Sequence, residues 1–154
     1  MFNGSLRSGM NSHLNKSRSL SKAQIEAAVK FHGHLGPFLV IGLRMGQLAL
    51  RLLDATGYFD IRCIAELQWS PPVSCVVDGI QFSTGCIMGK HNIEVVEREG
   101  VAATFTKDTK SFRIELRSSL LDSILRAFEE GTEEELTEKL IAASDEEIFE
   151  IKVS

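Results

Sequence analysis

Two histidines one residue apart, His32 and His34, precede a long apolar run in the stretch KFHGHLGPFLVIG at residues 30–42. A neutral imidazole is a common metal ligand, although an isolated histidine is more often a surface or hydrogen-bonded residue. Pro37 suits the first turn of a helix, where its missing N–H has no partner. The partial positive charge of that helix N-terminus disfavours an imidazolium, so this position favours a neutral His34 that can bind metal.

A second segment, CVVDGIQFSTGCIMGKHN at residues 75–92, supplies thiols, a carboxylate and an ammonium group. Cys75 falls in the first turn of a predicted helix, where the dipole lowers the pKa of a thiol, and Asp78 lies one turn further on the same side. Cys86 and Lys90 lie in the glycine-rich loop that follows. This loop is not a P-loop, which needs four residues between its glycines and Ser or Thr after the lysine.

The three cysteines are expected to be free thiols or thiolate ligands, because an odd number without a secretory signal is typical of the reducing cytoplasm. Cys63 falls on the core face of a predicted strand and is expected to be a buried thiol. A buried structural role also stays open for Cys75. In one straight helix, Cys75 and Cys86 would be eleven steps of about 1.5 Å apart, roughly 16 Å. They share a site only if the chain folds back after Gly85; otherwise they belong to two sites, for example across a dimer interface.

Composition predicts one cytoplasmic domain. The chain has 154 residues, of which 44% are hydrophobic and 25% charged, and a formal net charge of −4. A flexible tail is predicted at residues 1–19 and a single domain at 20–154. The acidic balance argues against a nucleic-acid partner, and the longest apolar stretch is interrupted by Arg and Gln, which argues against a membrane span. Residues 129–150 carry ten carboxylates against one lysine and are expected on solvated helix faces.

The order of elements predicts an α+β fold with helices packed on a mainly antiparallel sheet. Ser21 and Gln24 form a capping-box pattern for a helix that ends near Gly33. The next helix, from Pro37 to Gly57, is apolar nearly all round. We further expect a strand at 61–69, a helix at 74–84, an antiparallel meander of strands at 93–98, 101–107 and 112–117, helices starting at Ser119 and Thr132, and a final edge strand in IFEIKV.

Two features of the helix from Pro37 give expectations about its packing. Gly42 and Gly46 weaken it intrinsically, which predicts close approach of another backbone or subunit. Its narrow polar sector contains Arg44, Gln47, Arg51 and Asp54.

The two chemistry-bearing segments together resemble the domain family named for the E subunit of formylmethanofuran dehydrogenase. Its patterns are FHGHxCPG and C-x-x-D-x-I-Q-x-x-T-G-C-x-x-G-K-x-N. This chain reads FHGHLGPF at 31–38, and it matches the second pattern in register at Cys75, Asp78, Ile80, Gln81, Thr84, Gly85, Cys86, Gly89, Lys90 and Asn92. The resemblance covers most of residues 21–154. It implies an α+β core that forms a homodimer, without the C-terminal zinc finger that some relatives append.

The resemblance also implies a site built from the His-Gly-His segment and the cysteines, although Gly36 stands where the family usually has cysteine. The expected ligands of a transition metal, zinc above all, are His32, His34 and Cys75, with Cys86 as a further thiol. Asp78 would orient a ligand or transfer protons, and Lys90 would hold an anion. Three protein ligands with an open position are typical of catalytic zinc.

Three functions follow as hypotheses. The first is a metal-binding domain in or beside one-carbon or molybdenum/tungsten-enzyme metabolism, with a redox-enzyme complex or a small anionic substrate as partner. The second is a non-catalytic accessory subunit whose metal site degraded when Gly36 replaced cysteine. The third, thiol redox chemistry between Cys75 and Cys86, ranks last because the chain has no Cys-x-x-Cys.

Overall fold

The structure is a computed structural model that describes residues 20–154, so the tail predicted at 1–19 lies outside the described residues. Six helices pack with a five-stranded sheet, which confirms the predicted α+β class. No helix in 20–154 is long and apolar enough to cross a membrane. The helices are α1 (Lys22–His32), α2 (Pro37–Leu53), α3 (Cys75–Thr84), α4 (Ser118–Glu130), α5 (Glu133–Ala142) and α6 (Asp145–Ile148). The strands are β1 (Arg62–Leu67), β2 (Ile93–Glu97), β3 (Val101–Lys107), β4 (Lys110–Leu116) and β5 (Phe149–Val153).

The first two helices begin where the sequence predicts. Ser21 caps α1 in a reciprocal capping box with Gln24, and α1 ends at Gly33 in the left-handed conformation. Pro37 opens α2, which is buried along most of its length, as expected from its apolar circumference. The helix ends at Leu53 rather than at the predicted Gly57, because Asp54 itself adopts a left-handed conformation and ends it.

Helices α2 and α3 touch backbone to backbone. A Cβ atom added at Gly42 would lie 2.1 Å from the carbonyl oxygen of Val76, and one added at Gly79 would lie 2.5 Å from that of Leu39. A Cβ at Gly46 would collide with the hydroxyl of Ser83, 1.8 Å away. The prediction of close backbone approach is therefore confirmed at Gly42, whereas Gly46 is approached by side chains, and in both cases the approaching element is α3.

The strand order β2-β1-β3-β4-β5 corrects the predicted meander. Strand β2 does not pair with β3: it runs parallel to β1, while β3 pairs with the other side of β1 in antiparallel register. Leu67 lies opposite both Glu97 and Val101, so the loop between β2 and β3 passes over the end of β1. The short spacing of the two strands is typical of a hairpin, but β1 lies between them, and this long-range pairing is not encoded in the spacing. The rest of the meander, β3 to β4, and the edge position of β5 are confirmed.

Strand β1 is shorter than predicted. It ends at Leu67, and Trp69, predicted on the core face, has 53% of its surface exposed. Helix α4 starts at Ser118 without a side-chain cap, one residue before the predicted cap Ser119. Helix α5 starts after Thr132 as predicted.

The junction of α5 and α6 is held by a buried ionic cluster. Arg44 is 1% exposed and donates to the carbonyls of Leu140 and Ala143 at 2.8 and 2.7 Å. Asp145 accepts from Arg44 at 3.1 Å and from Arg51 at 2.6 Å. The expectation that the acidic residues of 129–150 are solvated is therefore wrong for Asp145, because the two arginines of the α2 polar sector require a buried counter-charge.

Candidate functional site

His32 and Asp78 form the central contact of the site. His32 is the last residue of α1, and its Nδ1 lies 2.6 Å from Oδ2 of Asp78 on α3. The His32 side chain is 8% exposed, whereas that of Asp78 is 40% exposed. Because an ionised carboxylate can only accept, Nδ1–H donates, and in a neutral imidazole Nε2 is then the nitrogen that carries the lone pair. Within residues 20–154 this Nε2 is buried without a hydrogen-bond partner.

His34 lies beside His32 in the link between α1 and α2. The two imidazole centroids are 4.6 Å apart, and His34 is exposed. Gly36 caps α2 in an extended conformation, with φ −149° and no side-chain hydrogen bond. A Cβ atom added there would lie 3.4 Å from Nε2 of His34. The side chain of a cysteine at this position, as in the family pattern, would therefore begin next to the His34 ring.

Cys75 is the first residue of α3 and is half-buried. One helical turn separates it from Asp78. Burial raises the pKa of the Cys75 thiol and the Asp78 carboxylate raises it further, while a backbone hydrogen bond lowers it. The expected thiolate-favouring effect of the helix N-terminus is thus outweighed, and the pKa shift is opposite to the one predicted.

Cys86 and Lys90 lie beyond the other end of α3, which spans nine steps of about 1.5 Å, roughly 14 Å. Cys86 is fully buried, its thiol donates to the carbonyl of Ile61 at 3.4 Å, and burial raises the pKa of that thiol. All three cysteines are free. Cys75 and Cys86 therefore lie at opposite ends of α3, which favours two separate sites. This placement gives no support to thiol exchange between them.

The ammonium group of Lys90 is occupied by the loop in which it lies. It donates to the carbonyl of Gly85 at 3.0 Å and lies 4.6 Å from the ring centroid of Phe59. The Tyr58 ring is 5.2 Å away on the same side. These contacts neutralise the carbonyl end of α3 and hold the loop. The anion-binding role predicted for Lys90 has no supporting contact among them.

The structure therefore brings together four of the six predicted residues. His32 lies against both Asp78 and His34, and Cys75 lies one turn from Asp78 on α3. Among residues 20–154, no three His, Cys, Asp or Glu side chains lie close enough together to hold a metal ion as they stand. The donor types present, imidazole nitrogen and thiol sulfur, are among those that zinc takes in proteins, and one imidazole nitrogen, Nε2 of His32, has no partner among the described residues.

Sequence reasoning missed two aromatic residues at the edge of this site. Phe31 and Phe82 have ring centroids 5.9 Å apart and are 57% and 37% exposed. The sequence contained one sign of this pair. Phe31 falls outside the apolar stripe of Ile25, Ala28 and Val29 on α1, so its ring could be expected at the surface. Their exposed rings give the site an apolar border.

Comparisons with known proteins identify the family of the chain. A family model described as "FmdE, Molybdenum formylmethanofuran dehydrogenase operon" matches residues 31–152. A probable S-adenosyl-L-methionine-binding protein of Archaeoglobus fulgidus is 30% identical over 119 residues, which are 72% of this chain and 31% of that protein. This chain thus spans about a third of that relative's length.

A solved structure gives the same fold. The tungsten formylmethanofuran dehydrogenase FmdE-like protein of Syntrophus aciditrophicus superposes with a TM-score of 0.64 at 22% identity, covering 84% of this chain and 69% of that one. The family match includes the whole His-Gly-His segment and all of α3. The chain therefore belongs to the FmdE family, which is named for the molybdenum formylmethanofuran dehydrogenase operon.

Proposed function

We propose that this domain binds a transition metal ion, zinc in the first instance, where α1 and α3 meet. The ligands would be His32, His34 and Cys75. The observation that carries the proposal is Nε2 of His32, a buried nitrogen without a partner among residues 20–154, whose ring is fixed by the Asp78 carboxylate. Buried polar atoms are rarely left unpaired, so this nitrogen requires an explanation.

The His32–Asp78 pair supports metal binding through a recurrent arrangement. Metal-binding histidines usually donate their other N–H to a carboxylate, which fixes the tautomer and makes the free nitrogen more basic. Here Nδ1 makes that bond at 2.6 Å, and Nε2 is the free nitrogen. Asp78 would thus position a ligand rather than bind the metal itself.

With His34 and Cys75 as the other two ligands, three of the four coordination positions that zinc prefers would be filled. A bound metal with an open fourth position can lower the pKa of a water molecule or polarise a substrate oxygen. The chain's own contribution is to hold His32 through Asp78, to present His34 beside it, and to supply the Cys75 thiol. Because the pKa of this thiol is raised, metal binding must displace a proton, and affinity is expected to increase with pH.

We further infer that the domain is cytoplasmic and acts in one-carbon or molybdenum/tungsten-enzyme metabolism. Its family is named for the formylmethanofuran dehydrogenase operon, and its cysteines are free thiols. A role as a homodimer or as part of a redox-enzyme complex belongs to this proposal. The S-adenosyl-L-methionine-binding activity in the relative's name describes a protein about three times as long.

One observation favours a second candidate, an accessory subunit without metal. Gly36 replaces the family cysteine at the position whose Cβ would point to His34. A site that has lost this thiol would keep the fold and its surfaces while losing affinity. The two candidates differ in one measurable property of the purified protein, its metal content.

The deciding experiment measures metal in protein purified without a metal affinity column, followed by zinc titration of the demetallated chain. We expect one equivalent, with affinity reduced at least about tenfold in His32→Ala, Cys75→Ser and Asp78→Asn, in line with the usual effect of removing a carboxylate partner. His91→Asn is the matched control, because it removes an exposed imidazole at a positive φ that Asn tolerates. A metal-free protein that does not take up zinc would overturn the proposal and favour the accessory subunit.

A further inference from the structure

A groove of about 490 Å³ opens at the carboxyl ends of the parallel strands β1 and β2. Its apolar wall is formed by Val73, Leu121 and Leu125, and its rim by Gln68 and residues 97–100. The size is that of a small-molecule site. Strand β1, helix α3 and strand β2 form a parallel crossover unit, and ligands of such units bind beyond the carboxyl ends of the strands.

The groove carries an unusual carboxylate. Glu97 lies opposite Leu67 in the parallel register, which places it on the sheet face that carries the buried Ile93. Alternation along β2 would give an apolar residue at this position. The structure has a solvent-exposed carboxylate there instead, at the last residue of the strand and at the border of the groove.

Among residues 20–154, the charged side chains that line the groove are Glu97, Arg98 and Glu99. Neither Glu97 nor Glu99 takes part in an ion pair there. Arg98 lies between them in sequence, but its guanidinium pairs with Glu66 at 3.3 Å. Two carboxylates therefore border an apolar wall that includes Leu125, a leucine with 39% of its surface exposed.

We propose that this groove binds a small organic cation, a primary ammonium or guanidinium group carried on an apolar body. Glu97 and Glu99 would hold the cation, and Val73, Leu121 and Leu125 would contact the body. The charge of this ligand is opposite to that of the small anionic substrate expected from Lys90. The ammonium group of Lys90 lies beyond the other end of α3. The groove lining contains none of the proposed metal ligands, so binding there does not need the metal.

The test is an NMR titration of demetallated protein with hexylammonium, hexanoate and methylammonium. Hexylammonium should saturably shift the amide signals of Gly100, Leu121 and Leu125. It should bind at least about tenfold more tightly than hexanoate, because only the cation is attracted by the two carboxylates. It should also bind more tightly than methylammonium, which has no apolar body.

Three variants assign the effect to the groove. Glu97→Gln combined with Glu99→Gln should remove the preference for hexylammonium over hexanoate, and Leu125→Ser should remove the preference for hexylammonium over methylammonium. Glu94→Gln is the matched control, since Glu94 is exposed on the opposite face of β2 and should change neither preference.

Equal binding of hexylammonium and hexanoate, or the lack of saturable shifts in the groove, would overturn the proposal. Aggregation of the Glu97→Gln protein without any ammonium binding would show instead that this charge only protects an edge strand from pairing. Zinc titration of the same variants keeps the two proposals separate, because metal affinity should not depend on Glu97 or Glu99.

Discussion

The hydrogen bond between His32 and Asp78 determines which imidazole nitrogen can bind a ligand. It joins residues 46 apart in sequence and leaves Nε2 of His32 as the buried nitrogen without a partner among the described residues. The motif spacing predicted both residues as site residues, but it could not predict their contact, since that depends on how α1 and α3 pack.

Burial also explains where residue-level predictions differ from the structure. The helix N-terminus at Cys75 was expected to lower the pKa of the thiol, but desolvation and the nearby carboxylate act in the opposite direction. Lys90 matched the family pattern in register, yet its contacts are with the loop around it. Sequence patterns identify residue types, whereas desolvation and pairing are properties of the packed chain.

Restoring the family thiol by Gly36→Cys should increase zinc affinity by at least about tenfold, because a thiolate adds a zinc ligand beside His34. The backbone accepts the change, as the new Cβ makes an ordinary contact of 3.4 Å at an extended φ. Isothermal titration with zinc measures the gain. Gly36→Ser controls for side-chain volume and helix capping, and equal affinity of the two variants would contradict the prediction.

Cys75 should react slowly with iodoacetamide at neutral pH, because its raised pKa leaves little thiolate. Replacing the adjacent carboxylate by Asp78→Asn removes one cause of the raised pKa. The alkylation rate of Cys75 at pH 8 should therefore increase. A rate in Asp78→Asn equal to or lower than that of the parent protein would show that the carboxylate does not control this thiol.

At the scale of elements, the Gly42–Gly79 contact fixes the distance between α2 and α3. The glycine pattern predicted a close approach, but two other features of the elements were beyond the sequence. The position of β2 depends on long-range pairing with β1, which no local pattern encodes. Helix α6 begins with a capping box of Ser144 and Glu147. The helix has only four residues, which is too short to show the periodicity of apolar residues by which a helix is predicted.

Gly79→Ala should destabilise the domain by about 1–3 kcal/mol or more, the usual cost of overpacking a close-packed contact. The added Cβ would lie 2.5 Å from the carbonyl oxygen of Leu39 and 2.6 Å from the backbone nitrogen of Leu43, and backbone atoms cannot move aside cheaply. Urea unfolding measures the loss. Gly89→Ala is the control, because a Cβ there meets nothing within 4 Å, and a similar loss in both variants would contradict the explanation.

At the scale of the whole molecule, the buried cluster around Asp145 connects the C-terminal elements to α2. Asp145→Asn leaves Arg44 and Arg51 without their counter-charge, which should cost about 3–5 kcal/mol in the free energy of unfolding. Glu146→Gln, at an exposed neighbouring position, should change it little. Comparable stability of the two variants in urea would show that the cluster is not needed.

The buried thiols should make the domain less stable in alkali. Burial raises the pKa of Cys63 well above its ordinary value, so the folded chain keeps a proton that the unfolded chain releases. The contribution of this protonated thiol to the free energy of unfolding is fully present below the pKa of the unfolded thiol, about 8.5. Above that pH the contribution decreases by up to about 1.4 kcal/mol per pH unit. Cys63→Ala should reduce this slope in urea unfolding between pH 8 and 10, and an unchanged slope would contradict it.

The contact between Gly42 and Gly79 also has a consequence for motion. With backbone touching backbone, α2 and α3 can neither slide nor separate without losing the contact, so they fluctuate as one rigid body. Asp78 and Cys75 are carried by that body, whereas His34 lies in the short link before it. The timescale on which the site opens is therefore expected to be that of the link at residues 33–36, and NMR relaxation should find faster motion there than at Asp78.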